Sequence, residues 1–124
     1  MPLSHRNYDK ARVVAPKGRL DHESCEAFQA DLKPHAEACA REGSALVLDL
    51  SGLEYVSSAG LRCLMIAARE AKSRAGRIIV AAMQPVVAEI FQISRFNLVL
   101  EVFPTLRDAL ASVSPQAVQA LERG

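Results

Sequence analysis

Two adjacent hydroxyls, Ser57 and Ser58, stand where a strand-like stretch gives way to a helical one, in Asp49-Leu-Ser-Gly-Leu-Glu-Tyr-Val-Ser-Ser-Ala-Gly-Leu61. Serines at such a junction can do three things. They can cap the helix, because Ser is among the preferred N-cap residues. They can carry a phosphate, since unpaired N–H groups and the macrodipole at a helix N-terminus stabilise an anion. They can also act as nucleophiles if a base is oriented toward them. Ser58, His22 and Asp21 can be drawn as a hydrolytic triad, but the pattern argues against it. Val56 precedes Ser57 where the strained turn of a nucleophile elbow needs glycine, and Asp21 and His22 are mere sequence neighbours. Spacing alone favours the cap, and no catalytic residue is expected.

The elements around the serines follow from hydrophobic period. Ala11 to Ala15 reads as a short strand, interrupted by Pro16, Lys17 and Gly18 in a way that suggests an edge or a bulge. Residues 1 to 9 are polar and suit a frayed edge strand. Ser24 is a candidate cap for a helix carrying Phe28, Leu32, Ala36 and Cys39, kinked or restarted at Pro34 and stopped at Glu42-Gly43-Ser44. Ala45 to Leu50 is a continuous apolar run, the pattern of a central strand covered on both faces. Ser51 to Ser57 reads as a connection. From Ala59, Leu61, Leu64, Met65 and Ala68 recur at amphipathic helix spacing, with Arg62, Arg69, Glu70 and Lys72 on the wet side and Gly76 as the stop.

Ile78 to Ala82 is then a second buried strand. Pro85 opens a short helix with Val86, Val87, Ile90 and Phe91, and Val99 to Phe103 is a further strand. Leu106, Ala109, Leu110 and Val113 mark a last helix, and residues 115 to 124 read as a loosely held C-terminal tail. Strands alternating with helices imply crossovers. The expected class is α/β: one domain over residues 1 to 114, with a four- or five-stranded mixed sheet, helices mainly on one face and the opposite face partly exposed.

Composition narrows the function classes. The 124 residues are 50% apolar and 23% charged with a formal charge of +1, so no global field favours nucleic acid or an anionic membrane. No apolar run approaches the roughly 20 residues needed to span a bilayer, so no direct membrane insertion is expected. The start, Met1-Pro-Leu-Ser-His-Arg-Asn-Tyr8, lacks the apolar stretch of a signal peptide, and the cytoplasm is the expected location. Cys25, Cys39 and Cys63 form no Cys-x-x-Cys pair and no zinc pattern. They are expected as small buried hydrophobes in a reducing compartment. No dinucleotide, phosphate-loop or metal motif is present, so no cofactor is expected.

The segment from Asp49 to Leu61 resembles the signature of anti-sigma factor antagonists and their STAS relatives. In that signature an aspartate-ended strand leads to a small polar pair and then small-Gly-Leu at a helix start. Gly18-Arg-Leu-Asp21 resembles the family's Gly-x-Leu-Asp, and Val87 to Phe103 resembles its helix, serine-centred turn and last strand. These matches span roughly residues 11 to 112 in order. The register places Ser58 on the phosphoacceptor serine, with Ser57 as the second choice. Many members have Asp where this chain has Ser57.

The resemblance implies a STAS-like fold and a binding surface formed by Asp21, Ser57, Ser58, Ala59, Gly60, Leu61 and Arg62. It implies partner switching, in which the unphosphorylated protein holds an anti-sigma factor serine kinase, phosphorylation at Ser58 ends the complex, and a serine phosphatase resets it. ATP and magnesium chemistry belong to those partners. The same fold implies an alternative, constitutive protein binding as a subunit of a lipid-transport ABC complex or a stress-signalling complex. A ligand-sensing role, with a small molecule enclosed beside the first helix, is a further alternative.

Overall fold

The computed structural model describes residues 4–73, 76–98 and 100–123. Seven strands occur among them: β1 (His5–Tyr8), β2 (Ala11–Val14), β3 (Gly18–Leu20), β4 (Ala45–Asp49), β5 (Leu53–Val56), β6 (Arg77–Ala81) and β7 (Glu101–Phe103). The helices are α1 (His22–Glu42), α2 (Ser58–Ser73), α3 (Pro85–Ile93), α4 (Leu106–Val113) and α5 (Pro115–Arg123), with a 3-10 turn at Phe96–Leu98. Five strands form the main sheet in the order β1-β2-β4-β6-β7. β1 is antiparallel to β2 and every other pairing is parallel, so the sheet is mixed, as expected.

β4 is the middle strand, and its alternation explains the two-sided core. Leu46 and Leu48 point to one face with Val14, Ile78 and Val80, where α1, α2 and α3 pack. Ala45 and Val47 point to the other with Ala11, Val13, Ile79 and Ala81. That second face is not left partly open. Ala109 and Leu110 of α4 and Ala117 of α5 cover it, and small residues on both sides let these helices sit close.

Several expectations need correction. Residues 115 to 123 are not a loose tail but α5, with Ala117 fully buried and the Ser114 hydroxyl both capping the helix and donating to Asp9 at 2.9 Å. α1 is capped by Asp21 and not by Ser24, and it runs unbroken through Pro34, which lies on its exposed side. The stretch Ser51 to Ser57 contains a strand, β5. β2 is not an edge strand; the Pro16–Gly18 interruption instead frees the chain to form β3, which leaves the main sheet and pairs with β5 across a register shift at Gly18/Arg19. The last strand, expected from Val99, is seen over Glu101–Phe103, and Val99 itself lies outside the described residues. Among the described residues no helix is long and apolar enough to cross a membrane.

Cys39 meets the expectation of a small buried hydrophobe, but the other two cysteines depart from it. Cys39 is free and buried. Cys25 of α1 and Cys63 of α2, however, meet sulfur to sulfur in a disulfide pairing, with Cα atoms 6.0 Å apart.

Candidate functional site: two helix starts on a parallel ribbon

The serines sit at the end of the β3–β5 ribbon. The two strands are parallel and in register at Leu20 and Val56, and each passes at once into a helix. Asp21 caps α1 and Ser57 caps α2, so two helix N-termini start side by side. The Ser57 amide donates to the Leu20 carbonyl at 2.9 Å, tying the start of α2 to the end of β3.

The ribbon allows this approach because residue 60 is glycine. A Cβ there would lie 2.2 Å from the Leu20 carbonyl oxygen, far inside contact distance. Gly60 is therefore needed for close packing of the first α2 turn against β3.

Within that turn the serines are not equivalent. The Ser57 hydroxyl accepts from the Gly60 amide at 3.1 Å, and the Ser57 carbonyl accepts from the Leu61 amide at 2.9 Å. This is N-cap geometry, and it occupies the Ser57 side chain. Ser58 is the first residue of α2 and is exposed. Ala59 and Leu61 are partly buried, Gly60 is buried, and Arg62 is exposed on the following turn. Arg69, two turns further along, is exposed as well.

Asp21 is beside the serines, held there by its own cap. Its Oδ1 accepts from the Glu23 and Ser24 amides, each at 3.1 Å, while its amide donates to the Ser24 hydroxyl at 3.0 Å. The Ser24 backbone hydrogen bond is the main reason its carboxyl is held below the usual value; burial opposes this, and the other hydrogen bonds and Arg19 add to it. The Arg19 guanidinium lies 3.9 Å from the Asp21 carboxylate and 4.4 Å from the centre of the Tyr55 ring. Sequence reading passed over Arg19 and Tyr55. The signal lies in their pairing across the ribbon, which required β5 to be seen as a strand.

The site thus brings Asp21, Ser57, Ser58 and Gly60 together. It gives Ser57 and Asp21 structural duties and leaves Ser58 presented to solvent. The Asp21 carboxylate is committed to the α1 amides and Arg19, and His22 is exposed. Among the described residues, no group of three or more His, Cys, Asp or Glu side chains is placed to hold a metal ion.

A sequence profile of the family described as "Mlab, STAS domain" matches residues 4–101. The chain belongs to the STAS domain family. This STAS domain is 30% identical over 120 residues to a Bordetella bronchiseptica protein named "Putative anti-sigma factor antagonist BtrV", a match that covers 95% of this chain and 98% of that protein. Among solved structures it is similar to an anti-sigma factor antagonist from Mycobacterium paratuberculosis. That match has a TM-score of 0.73 and 26% identity, and covers 90% of this chain and 92% of the other. It also shares the fold of Bacillus SpoIIAA in the phosphorylated form, with a TM-score of 0.60 and 20% identity over 89% of this chain and 97% of that one.

Proposed function

We propose that this STAS domain is an anti-sigma factor antagonist. It binds an anti-sigma factor serine kinase through the first turn of α2 and the adjoining end of β3, and phosphorylation of Ser58 ends the complex. The observation that carries the choice of serine is the division of labour in that turn. Ser57 spends its hydroxyl on the Gly60 amide, whereas Ser58 is exposed at the first helical position. The names of the Bordetella and Mycobacterium relatives support the antagonist role. The phosphorylated form of SpoIIAA supports a phosphate on this fold.

The physics of the switch is local. A phosphate on Ser58 adds nearly two negative charges at a helix start, where the α2 amides and macrodipole stabilise it within the domain. The same charge stands next to the ionised Asp21, so the surface shown to the partner turns strongly negative. Arg62 and Arg69, exposed on the same helix, suit an acidic partner surface in the unphosphorylated state. A serine phosphatase restores that state. The domain supplies the hydroxyl and the surface, and the kinase supplies ATP, metal and chemistry.

The test is to incubate the purified domain with ATP, magnesium and the serine kinase encoded nearest to it, then map phosphate by peptide mass. One phosphate is expected on Ser58, and Ser58→Ala should retain the kinase while Ser58→Asp releases it. Ser57→Ala should still be phosphorylated, at a stability cost of about 1 kcal/mol for the lost cap. Phosphate on Ser57 alone would overturn the assignment. No phosphate, with a control substrate modified, would favour constitutive binding in another assembly.

A further inference from the structure

The pairing of Cys25 with Cys63 has no part in the partner-switching reading. Cys25 is the fourth residue of α1 and Cys63 the sixth of α2, so their sulfurs meet between the two helix starts that frame Ser58. A Cα separation of 6.0 Å is what a disulfide requires without backbone movement. The two thiols differ in access: Cys25 is partly exposed, and Cys63 is 1% exposed. The Cys25 sulfur also lies 3.7 Å from the Ala59 carbonyl, in the turn that carries Ser58. Cys39 is the contrast. It is buried alone against the Ala45 carbonyl, and burial pushes its thiol pKa up, away from the reactive thiolate.

We infer that Cys25 and Cys63 are a reversible redox site, with Cys25 as the thiol that meets the oxidant and Cys63 as the resolving thiol. The oxidant class is a hydroperoxide. The Cys25 thiolate attacks the terminal peroxide oxygen, the O–O bond breaks, and Cys25 becomes a sulfenic acid as alkoxide leaves, or hydroxide when the oxidant is hydrogen peroxide. The Cys63 sulfur then attacks the Cys25 sulfur, the S–O bond breaks, and water departs with the Cys63 proton. Two thiols have lost two electrons and one peroxide has gained them. A dithiol reductant reverses the change by exchange at the accessible Cys25 sulfur.

Reversibility follows from the surroundings. A domain of this length with a two-sided core does not depend on a staple to fold. Accessible disulfides are the labile ones, and Cys25 is reached from solvent. Oxidation closes a loop over a sequence separation of 38 and ties α1 to α2 one turn below Ser58. The oxidised domain holds the first turn of α2 more tightly than the reduced one, whether or not Ser58 accepts phosphate.

The test takes the full chain, reduced with dithiothreitol and then exposed to stoichiometric hydrogen peroxide. Peptide mass without reduction should show one intramolecular Cys25–Cys63 link and an unmodified Cys39. Dithiothreitol should reverse it. The oxidised form should melt higher by about 15 °C, from the loop closure, and its amides at residues 59–63 should exchange more slowly. In Cys63→Ser, dimedone should trap a sulfenic acid on Cys25; in Cys25→Ser, Cys63 should stay unmodified. Over-oxidation of Cys25 to sulfinic acid in the wild-type chain, a link to Cys39, links only between molecules, or equal melting of the two forms would overturn the inference.

Discussion

Replacing Gly60 with alanine tests the packing on which the candidate site depends. On an ordinary helical surface the change stabilises, because alanine loses less backbone entropy than glycine, by about 0.5–1 kcal/mol. Here the new Cβ would stand 2.2 Å from the Leu20 carbonyl oxygen and 2.9 Å from its carbon, well short of the 3.4 Å at which ordinary contact begins. The obstacle is backbone, and the same carbonyl accepts the Ser57 amide, so the clash cannot be relieved by turning a side chain. Overpacking costs about 1–3 kcal/mol, and an immovable neighbour puts this site near the upper end. After the helix gain is subtracted, Gly60→Ala should destabilise by about 2 kcal/mol. At the usual unfolding entropy for a chain of this length that is a fall in Tm of about 8 °C. Thermal melting followed by circular dichroism reads it, and amide exchange at Ser57 should quicken as its bond to Leu20 lengthens. A variant that melts at or above the wild-type temperature would refute the close approach of α2 to β3.

Two further outcomes are expected from the rest of the molecule. Burial above all, then the neighbouring His5 and Arg12, hold His35 below its ordinary value of 6.5, with Asp31 opposing; its Nδ1 lies 3.3 Å from an Arg12 nitrogen and its ring 4.8 Å from that of His5. The folded state binds this proton less readily than the unfolded chain, so its contribution to stability is present above about pH 6.5 and lost as pH falls from there through the folded-state pKa. Urea unfolding at about pH 7.5 and pH 5.5 should show the decline, and His35→Gln should flatten it; an equal slope in the variant would sink the account. Deletion of residues 115–124 removes α5 from the second face, where Ala117 is buried and Val118 and Leu121 pack against the core. The loss should be about 2 kcal/mol, again about 8 °C in Tm, and unchanged melting would return this segment to the status of a tail.

The features legible in the sequence were those with a long or strict pattern. The run Ala45 to Leu50 announced a central strand because both its faces are covered, and Leu64 and Ala68 fixed the buried side of α2. β5 escaped because four residues, Leu53 to Val56, follow directly on a Ser-Gly turn and are too few for a period to emerge. Asp21 was overlooked as a cap because Ser24, three residues on, suits the same duty. The two turn out to share a capping box. α5 was missed for a different reason: its one fully buried position is an alanine, Ala117, which signals burial only when the neighbours of the helix, β1 and α4, are known. At the candidate site, residue types pointed to both serines, but only the hydrogen bond from Gly60 to Ser57 distinguishes their duties.

The β3–β5 ribbon stands apart from the five-stranded sheet, and this has a consequence for how such domains diverge. Val47 and Ile79, at the centre of the second core face, make no use of residues 18–21 or 53–62. The two segments can therefore be exchanged for those of a relative without disturbing that face. They cannot be exchanged singly, because the shape of the turn at Gly60 is cut to the Leu20 carbonyl. Segments 18–21 and 53–62 are thus one graft, two pieces of chain that travel together. On the binding surface proposed above, variation confined to this ribbon end would change the partner while the sheet beneath stays common.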